Sequence, residues 1–480
     1  MRPASIIRPI VVFVLAFLSP GSSLFSQSVI SDLRSPNNRF DYVIISPRAY
    51  IPAVQPLALR RSVHNGFAVG IAVTDSIYSS FGKGTTADTA IKKFITYALA
   101  SWKAPAPKYF LLAGNVNTVP SHTEQGFTFV GEDSIMVDGW FVEAGADSGL
   151  PGRQVAALGR LPAWNLAGLN VMLSKINTYE NSPEQSWMRR SISVADSTYA
   201  PLFEGIADAL QHTLSPAWPE TVSIHITPSS SQYLSRVQFR DLLNRGAAIV
   251  SLIGEVNWYK FARSAYFTTW EVDSLAPGSP LPLCLILAGQ RFEKSDTPAI
   301  AVSLLQSDAK GAIATIAPSG AVYAGSNSAF LQVLGASLAA RPAKSIGEVF
   351  LTTINSNGLW DPSTRRQTLL GDPAVVVRSV VLAGVGPGGS TLPGGYVLLQ
   401  NYPNPFNPTT TIRYGVPRQS AVTLSVFNTL GQQVATLVNE TQAAGYHEVK
   451  FDGSNLASGV YFYRLTAGYF VATNRLLLLR

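Results

Sequence analysis

The sequence predicts an α/β domain of two subdomains, with mainly parallel sheets flanked by helices, followed by a C-terminal immunoglobulin-like β-sandwich. Three observations predict it. Between Asp41 and Arg378, short apolar runs alternate with segments of helical spacing, the pattern of strands joined by crossover helices. Gly384 to Gly395 is then rich in Gly and Pro and breaks the periodicity. Beyond it, short segments of alternating hydrophobicity recur with turn residues between them.

The elements follow in order. Asp41-Tyr-Val-Ile-Ile-Ser46 and Phe67-Ala-Val-Gly-Ile-Ala-Val73 read as buried strands. Asp88 to Ser101 places Ile91, Phe94, Ile95 and Leu99 on one helical face. Lys108-Tyr-Phe-Leu-Leu-Ala-Gly114 is a third strand, ending at Asn115. After Ala157-Leu-Gly-Arg-Leu-Pro162, where Gly159 allows a tight turn, Leu166 to Tyr179 has helical spacing. The second half repeats the logic: strand Ile192 to Ala195, helix Phe203 to Leu214, strand Val222 to Ile226, helix Val237 to Asn244.

Two apolar runs closed by Gly come next, Ala247 to Trp258 and Leu281 to Phe292. Their carboxyl ends fall at Gly254-Glu255 and Ala288-Gly289, where parallel sheets place ligands and catalytic groups. Trp258 and Arg291 lie just beyond and complete a candidate pocket with Gly254, Glu255 and Gly289. Ala299 to Leu305 is helical, Gly311 to Ala317 a strand, and Leu369-Leu-Gly-Asp-Pro373 turns the chain into a last strand, Ala374 to Val377. In the C-terminal region the predicted strands are Thr410–Tyr414, Val422–Phe427, Gln433–Leu437, Glu448–Phe451, Val460–Leu465 and Arg475–Leu479.

Composition bounds the function. The 480 residues are 46% hydrophobic and 14% charged, ample for more than one core. The formal net charge is +7, and no Lys/Arg run marks a nucleic-acid surface. Arg2 and Arg8, then the apolar stretch Pro9 to Leu18 and a small residue at Ser26, read as a signal peptide cleaved before Gln27. No other stretch is long and apolar enough to span a bilayer, so no transmembrane segment is expected in the mature chain. The single cysteine, Cys284, permits no intrachain disulfide.

The two central runs resemble the catalytic core of the gingipain-type cysteine peptidases, relatives of the caspases. The resemblance implies a caspase-like fold. It also implies a His after the first strand, in Gly-His-Gly, and a nucleophilic Cys after the second. The His position carries Glu255, followed by Val256, and the Cys position falls on Gly289 in an alignment from Pro282 through Ala288. The loop from Gln290 to Phe292 is also shorter than in that family. Tyr109 to Pro120 is similar to a family strand ending in Gly-Asp, with Asn115 at the Asp position, and Leu369 to Pro373 is similar to the family's closing motif. Residues 396–480 closely resemble the C-terminal sorting domain of the type IX secretion system. The matching phrases are Asn401-Tyr-Pro-Asn-Pro-Phe-Asn-Pro408, Asn428-Thr-Leu-Gly-Gln432, Ala444-Gly-Tyr-His447 and Leu456-Ala-Ser-Gly-Val-Tyr461. This implies the secretion machinery as partner and a secreted or outer-membrane surface location reached through the periplasm.

The chain then divides into a signal peptide (1–26), a gingipain-like domain (27–383, subdomains about 41–185 and 186–383), a linker (384–395) and a sorting domain (396–480). Residues 27–40 leave no room for the long inhibitory propeptide that the resemblance implies. Cys284 lies five residues before Gly289, about 16 Å away at about 3.3 Å per residue, and an odd separation puts it on the other face, as a buried hydrophobe. Glu255 as a base has no thiol to serve. His64, His122, His212, His225 and His447 show no metal spacing. Calcium is implied by the resemblance alone, with Glu132, Asp133 and Asp138 as candidate ligands. Two functions stay open. One is an inactive peptidase acting as a secreted or surface binding or structural protein for a peptide or protein ligand. The other is an active secreted cysteine endopeptidase.

Overall fold

The computed structural model describes residues 28–128, 131–144, 152–226, 232–255, 259–262, 264–287, 299–320, 322, 324–340, 344–356, 362–379, 396–398, 401, 406–416, 418–468 and 470–479. The expected signal peptide and the Gly/Pro-rich linker lie outside them.

The first half runs β1 (Ser28–Val29), β2 (Tyr42–Ser46), α1 (Ile51–Asn65), β3 (Val69–Val73), α2 (Thr74–Phe81), α3 (Ala87–Ser101) and β4 (Tyr109–Ala113). The hairpin β5 (Thr123–Thr128) and β6 (Gly131–Met136) follows, then β7 (Ala157–Leu161) and α4 (Leu166–Asn181). The second half begins with β8 (Arg190–Ala195), α5 (Ala200–Leu214), β9 (Glu220–His225), α6 (Gln232–Arg245) and β10 (Ile249–Ile253). It continues through β11 (Lys260–Phe261), β12 (Phe267–Thr268), α7 (Thr269–Asp273), β13 (Leu283–Leu287), α8 (Ile300–Gln306) and β14 (Ala314–Pro318). α9 (Ala324–Ala340), α10 (Ile346–Ile354), α11 (Pro362–Arg365) and β15 (Gln367–Leu370) close it.

Strand alternation sets the layers. In β2 and β4, Tyr42, Ile44, Tyr109 and Leu111 enter one core beside α1 and α4. Their neighbours Val43, Ile45, Phe110 and Leu112 enter another beneath α2 and α3. Side chains on successive strand residues point to opposite faces, so a strand covered by helices on both sides must be apolar throughout.

All these strands except β5, β6, β11 and β12 form one sheet, in the order β1-β3-β2-β4-β7-β15-β14-β13-β10-β8-β9. Every neighbouring pair is parallel except β14 and β15. Strand direction therefore reverses once. The carboxyl ends of β8, β10, β13 and β14 open on one edge of the sheet, and those of β2, β4 and β7 on the opposite edge. The larger core cluster runs across the seam from Tyr42 to Val377.

Three expectations are corrected. The last strand of the α/β region is β15, before the Gly371-Asp372-Pro373 turn; Ala374 to Val377 contributes only a bridge from Val376 to Ser345. Gly159 makes no turn: it lies inside β7, where an added Cβ would come within 2.3 Å of the Gly371 carbonyl oxygen. The helices α1, α2, α9 and α10 were not anticipated. In α1, Pro52 and Pro56 mask a helix that its buried face supplies with Val54, Leu57, Ala58 and Arg61.

Two buried ionic sites fasten the halves. Arg61 is fully buried; its Nη2 lies 2.8 Å from both Glu180 and Asp372, and its Nε donates to Asp372 at 2.9 Å. Tyr42 and the Ala374 amide also donate to Asp372. Burial disfavours the Arg61 charge, but the two carboxylates outweigh it and raise its pKa. Lys175 of α4 donates to the carbonyls of Leu304 at 2.7 Å, Leu305 at 3.0 Å and Ser307 at 3.3 Å, at the C-terminal end of α8. Burial lowers its pKa to about 7, against the attraction of Cys284 and Asp308.

The C-terminal region is a sandwich of a three-stranded sheet, β16 (Val397–Leu398), β17 (Thr409–Val416) and β20 (Gly445–Asp452), with a four-stranded one. The second sheet contains β18 (Ser420–Phe427), β19 (Gln433–Gln442), β21 (Gly459–Ala467) and β22 (Phe470–Leu478). Its core, including Ile412, Tyr414, Leu424, Tyr463 and Leu476, draws only on residues 398–478.

Asp372→Asn leaves the Arg61 charge under-compensated in the interior, so urea unfolding should show a loss of about 3 kcal/mol or more. For Lys175, the folded pKa is below the unfolded one. The unfolded chain therefore binds the extra proton between about pH 7 and 10, and stability should fall as pH falls through that window. Lys175→Met should flatten that slope in denaturation curves taken across the window; an unchanged slope would show that Lys175 keeps its proton throughout.

Candidate functional site

β10 and β13 lie side by side in parallel register, with Ile253 opposite Leu287. The two strands thus end at the same level. Glu255 follows Ile253 by two residues, and Gly289 follows Leu287 by two. Gly289, Trp258 and Arg291 lie outside the described residues, so of the predicted pocket the structure places Gly254 and Glu255.

Gly254 is required by a close approach. A Cβ there would sit 2.2 Å from the Cβ of Asp196 and 3.2 Å from the Phe261 ring. Asp196, next after β8, is buried, and its carboxylate accepts from the Thr198 hydroxyl at 2.9 Å, the Thr198 amide at 3.3 Å and the Glu255 amide at 3.3 Å. The Glu255 carbonyl in turn accepts from the Ala262 amide at 2.8 Å. The half-buried Glu255 thus has its backbone fixed from both sides. Sequence reading missed Asp196. The rule that pointed to Glu255, a polar residue just past a buried strand, applies equally to the end of β8.

Cys284 sits opposite Val250 and Thr315 in the middle of the sheet, 2% exposed. Burial pushes its thiol up to about 12, with the charge of Lys175 acting weakly the other way. It is the inert, buried residue that strand alternation predicts.

The remaining candidates disperse. Gly114-Asn115 ends β4 on the opposite edge of the sheet. There the Asn115 side-chain oxygen accepts from the amides of Asn117 and Thr118, forming a local turn. Asp138 does not fit a calcium ligand: its carboxylate is bidentate to Arg160, at 2.6 and 2.7 Å, and accepts from Ser121 at 2.7 Å. The side chains of Glu132 and Asp133 lie outside the description. Among the described residues, no group of His, Cys, Asp or Glu is placed to hold a metal. His122 contacts Asp88 at 2.9 Å and stacks on Trp140 at 3.8 Å. His225 contacts Asp208, and His447 Nε2 donates to the Ala443 carbonyl at 2.9 Å while its ring stacks on Tyr414. His64 is exposed in the last turn of α1, and burial lowers the pKa of His212.

The model of peptidase family C25 matches residues 35–378, which is most of the chain. The chain belongs to peptidase family C25. Residues 400–478 match the secretion system C-terminal sorting domain. That domain marks the protein for export by type IX secretion to the cell surface or outside, and no helix among the described residues is long and apolar enough to cross a membrane.

The fold is the caspase-like gingipain fold. The crystal structure of gingipain R, described as an Arg-specific cysteine proteinase, superposes with a TM-score of 0.60 at 14% identity, covering 94% of this chain and 99% of that one. The complex of RgpB pro- and mature domains from Porphyromonas gingivalis gives a TM-score of 0.57 at 14% identity, covering 91% of this chain and 100% of that one. At such identity the likeness shows the fold alone. Comparison with curated proteins returned no match.

A thiol reagent such as a disulfide-exchange chromophore should leave the native C25 chain unlabelled at pH 8 and modify Cys284 only in denaturant. Rapid native labelling would mean that Cys284 is reachable from solvent.

Proposed function

We propose that this chain is a family C25 protein without peptidase activity, exported to the cell surface or outside and acting there as a binding or structural protein. The proposal includes a signal peptide at residues 1–26, a C25 domain at 27–383, a linker at 384–395 and a sorting domain at 396–480.

One observation carries the reading: the chain's single cysteine is buried at the second position of β13, three residues before the strand's last residue. A cysteine peptidase needs a thiolate at the reacting carbonyl, with an imidazole to activate it and then protonate the leaving amine. Glu255 stands at the family's imidazole position and Gly289 at its thiol position. The alternative, an active secreted cysteine endopeptidase, rests on family membership, and function does not follow from fold.

The test is incubation of the purified full chain with a broad peptide library, read by mass spectrometry. No cleavage is expected, because losing members of a catalytic unit costs several orders of magnitude in rate. Glu255→His with Gly289→Cys should restore little, since the short loop from Gln290 to Phe292 would misplace oxyanion donors. Cleavage by the natural chain that disappears in Cys284→Ala would overturn the proposal.

A further inference from the structure

The C-terminal sandwich meets the C25 domain along one side. β16 and β22 are edge strands of the two sandwich sheets, and β9 is an edge strand of the eleven-stranded sheet. Between them, next to α5, lies a cavity of about 350 Å³. Asp208 and His212 of α5, Thr221 and Ser223 of β9, Leu398 of β16 and Asn474 of β22 help to line it. Its walls are mostly polar, so water can fill it. Among the described residues, neither domain's hydrophobic core takes a side chain from the other. The contact is therefore wet, and no shared core cements it.

His212 brings a titratable group to this contact. It lies in the last turn of α5 and is exposed, so a proton can reach it. Arg475, next to Asn474 on β22, is close enough for its charge to act on the imidazole. Partial burial first, and the Arg475 charge second, hold the His212 pKa below the usual imidazole range. The other charges here belong to the C25 domain. Asp208 and Glu204 stand about one and two turns earlier on α5, and Asp208 contacts His225 of β9 at 3.2 Å. Glu220, at the start of β9, pairs with Arg189 at 3.5 Å and Arg190 at 3.1 Å. α9 and β10, also packed against α5, carry no charged residue, and neither does β16. Asp208, Glu204 and the carboxyl end of α5 favour a proton on His212 whether or not the sandwich is in place. Arg475 opposes that proton only while the sandwich is in place.

We propose that α5 and β9 form a dock for the chain's own sorting domain, and that protonation of His212 loosens the dock by setting a second cation against Arg475. The docked chain binds the His212 proton less readily than the undocked one. Docking is therefore at full strength above about pH 6.5, the ordinary imidazole value, and weakens as pH falls below it. One proton changes such an equilibrium by at most about tenfold per pH unit. A wet contact without a shared core is weak enough for a change of that size to move the domains apart while both stay folded. The device operates whether or not the C25 domain cuts peptides.

The test compares the full chain with its His212→Gln, His212→Lys and Arg475→Gln variants from about pH 8 to about pH 5. Small-angle scattering reads the largest dimension of the particle, and hydrogen exchange reads α5 and β22. Circular dichroism at each pH reports folding. His212 and Arg475 are exposed, so the variants should fold as the natural chain does. The natural chain should be compact at about pH 8 and lengthen below about pH 6.5, with faster exchange in α5 and β22. His212→Gln cannot take the proton and should stay compact throughout. His212→Lys carries a permanent cation and should be lengthened already at about pH 8. Arg475→Gln should flatten the pH response. The proposal is overturned if the natural chain keeps one dimension across the range or if His212→Gln lengthens as the natural chain does. It is equally overturned if His212→Lys stays compact, if Arg475→Gln leaves the response unchanged, or if lengthening coincides with loss of secondary structure.

Discussion

The fold depends on how the Asp372 carboxylate is held. It accepts from Arg61 of α1, from Tyr42 of β2 and from the Ala374 amide, with no exposure to water. Arg61 also pairs with Glu180 of α4. A carboxylate so deeply buried is tolerable only with its charge compensated and its lone pairs filled. Meeting that demand draws the chain after β15 onto the helices of the first half and leaves β15 between β7 and β14. Gly371 and Gly159 let the backbones cross closely enough for this, since the Gly371 carbonyl fills the space a side chain at Gly159 would take.

The position of β15 decides where chemistry could occur. Because β15 runs parallel to β7 and antiparallel to β14, two sets of strand ends face opposite ways. Asp196 and Glu255 meet on one edge, and Asn115, Asp138 and Arg160 serve the other. On that second edge Arg160 shapes the loops, donating to Asp138 and to the carbonyls of Gly114 and Val119. On the first edge Gly254 packs tightly against Asp196.

Burial also removes the one thiol from solvent and raises its pKa. Cys284 lies between β10 and β14, close enough to Lys175 to feel its charge, and is buried. Lys175 is itself committed to the end of α8, the helix that follows the strand-end loop. Cys284 is thus held within the sheet, and Lys175 is held by the packing between the halves.

The sequence by itself determined the class of fold and the position of the strand ends. Apolar runs such as Tyr42 to Ile45 can be satisfied only by cover on both faces, and alternation put Cys284 inside without any knowledge of its neighbours. It also carried the sorting domain, because turns and short alternating strands are local signals. Other features were illegible for a stated reason. Helix α1 was hidden by Pro52 and Pro56, since its stability comes from a buried face that only the packed sheet supplies. Gly159 read as a turn because a close approach by Gly371, distant in sequence, leaves no local trace. The reversal at β15, the burial of Asp138 against Arg160, and the seat of Asp196 beneath Gly254 were all decided by tertiary structure. Each is a pairing between residues far apart in the chain, and such pairings exist only once burial makes leaving either partner alone too costly.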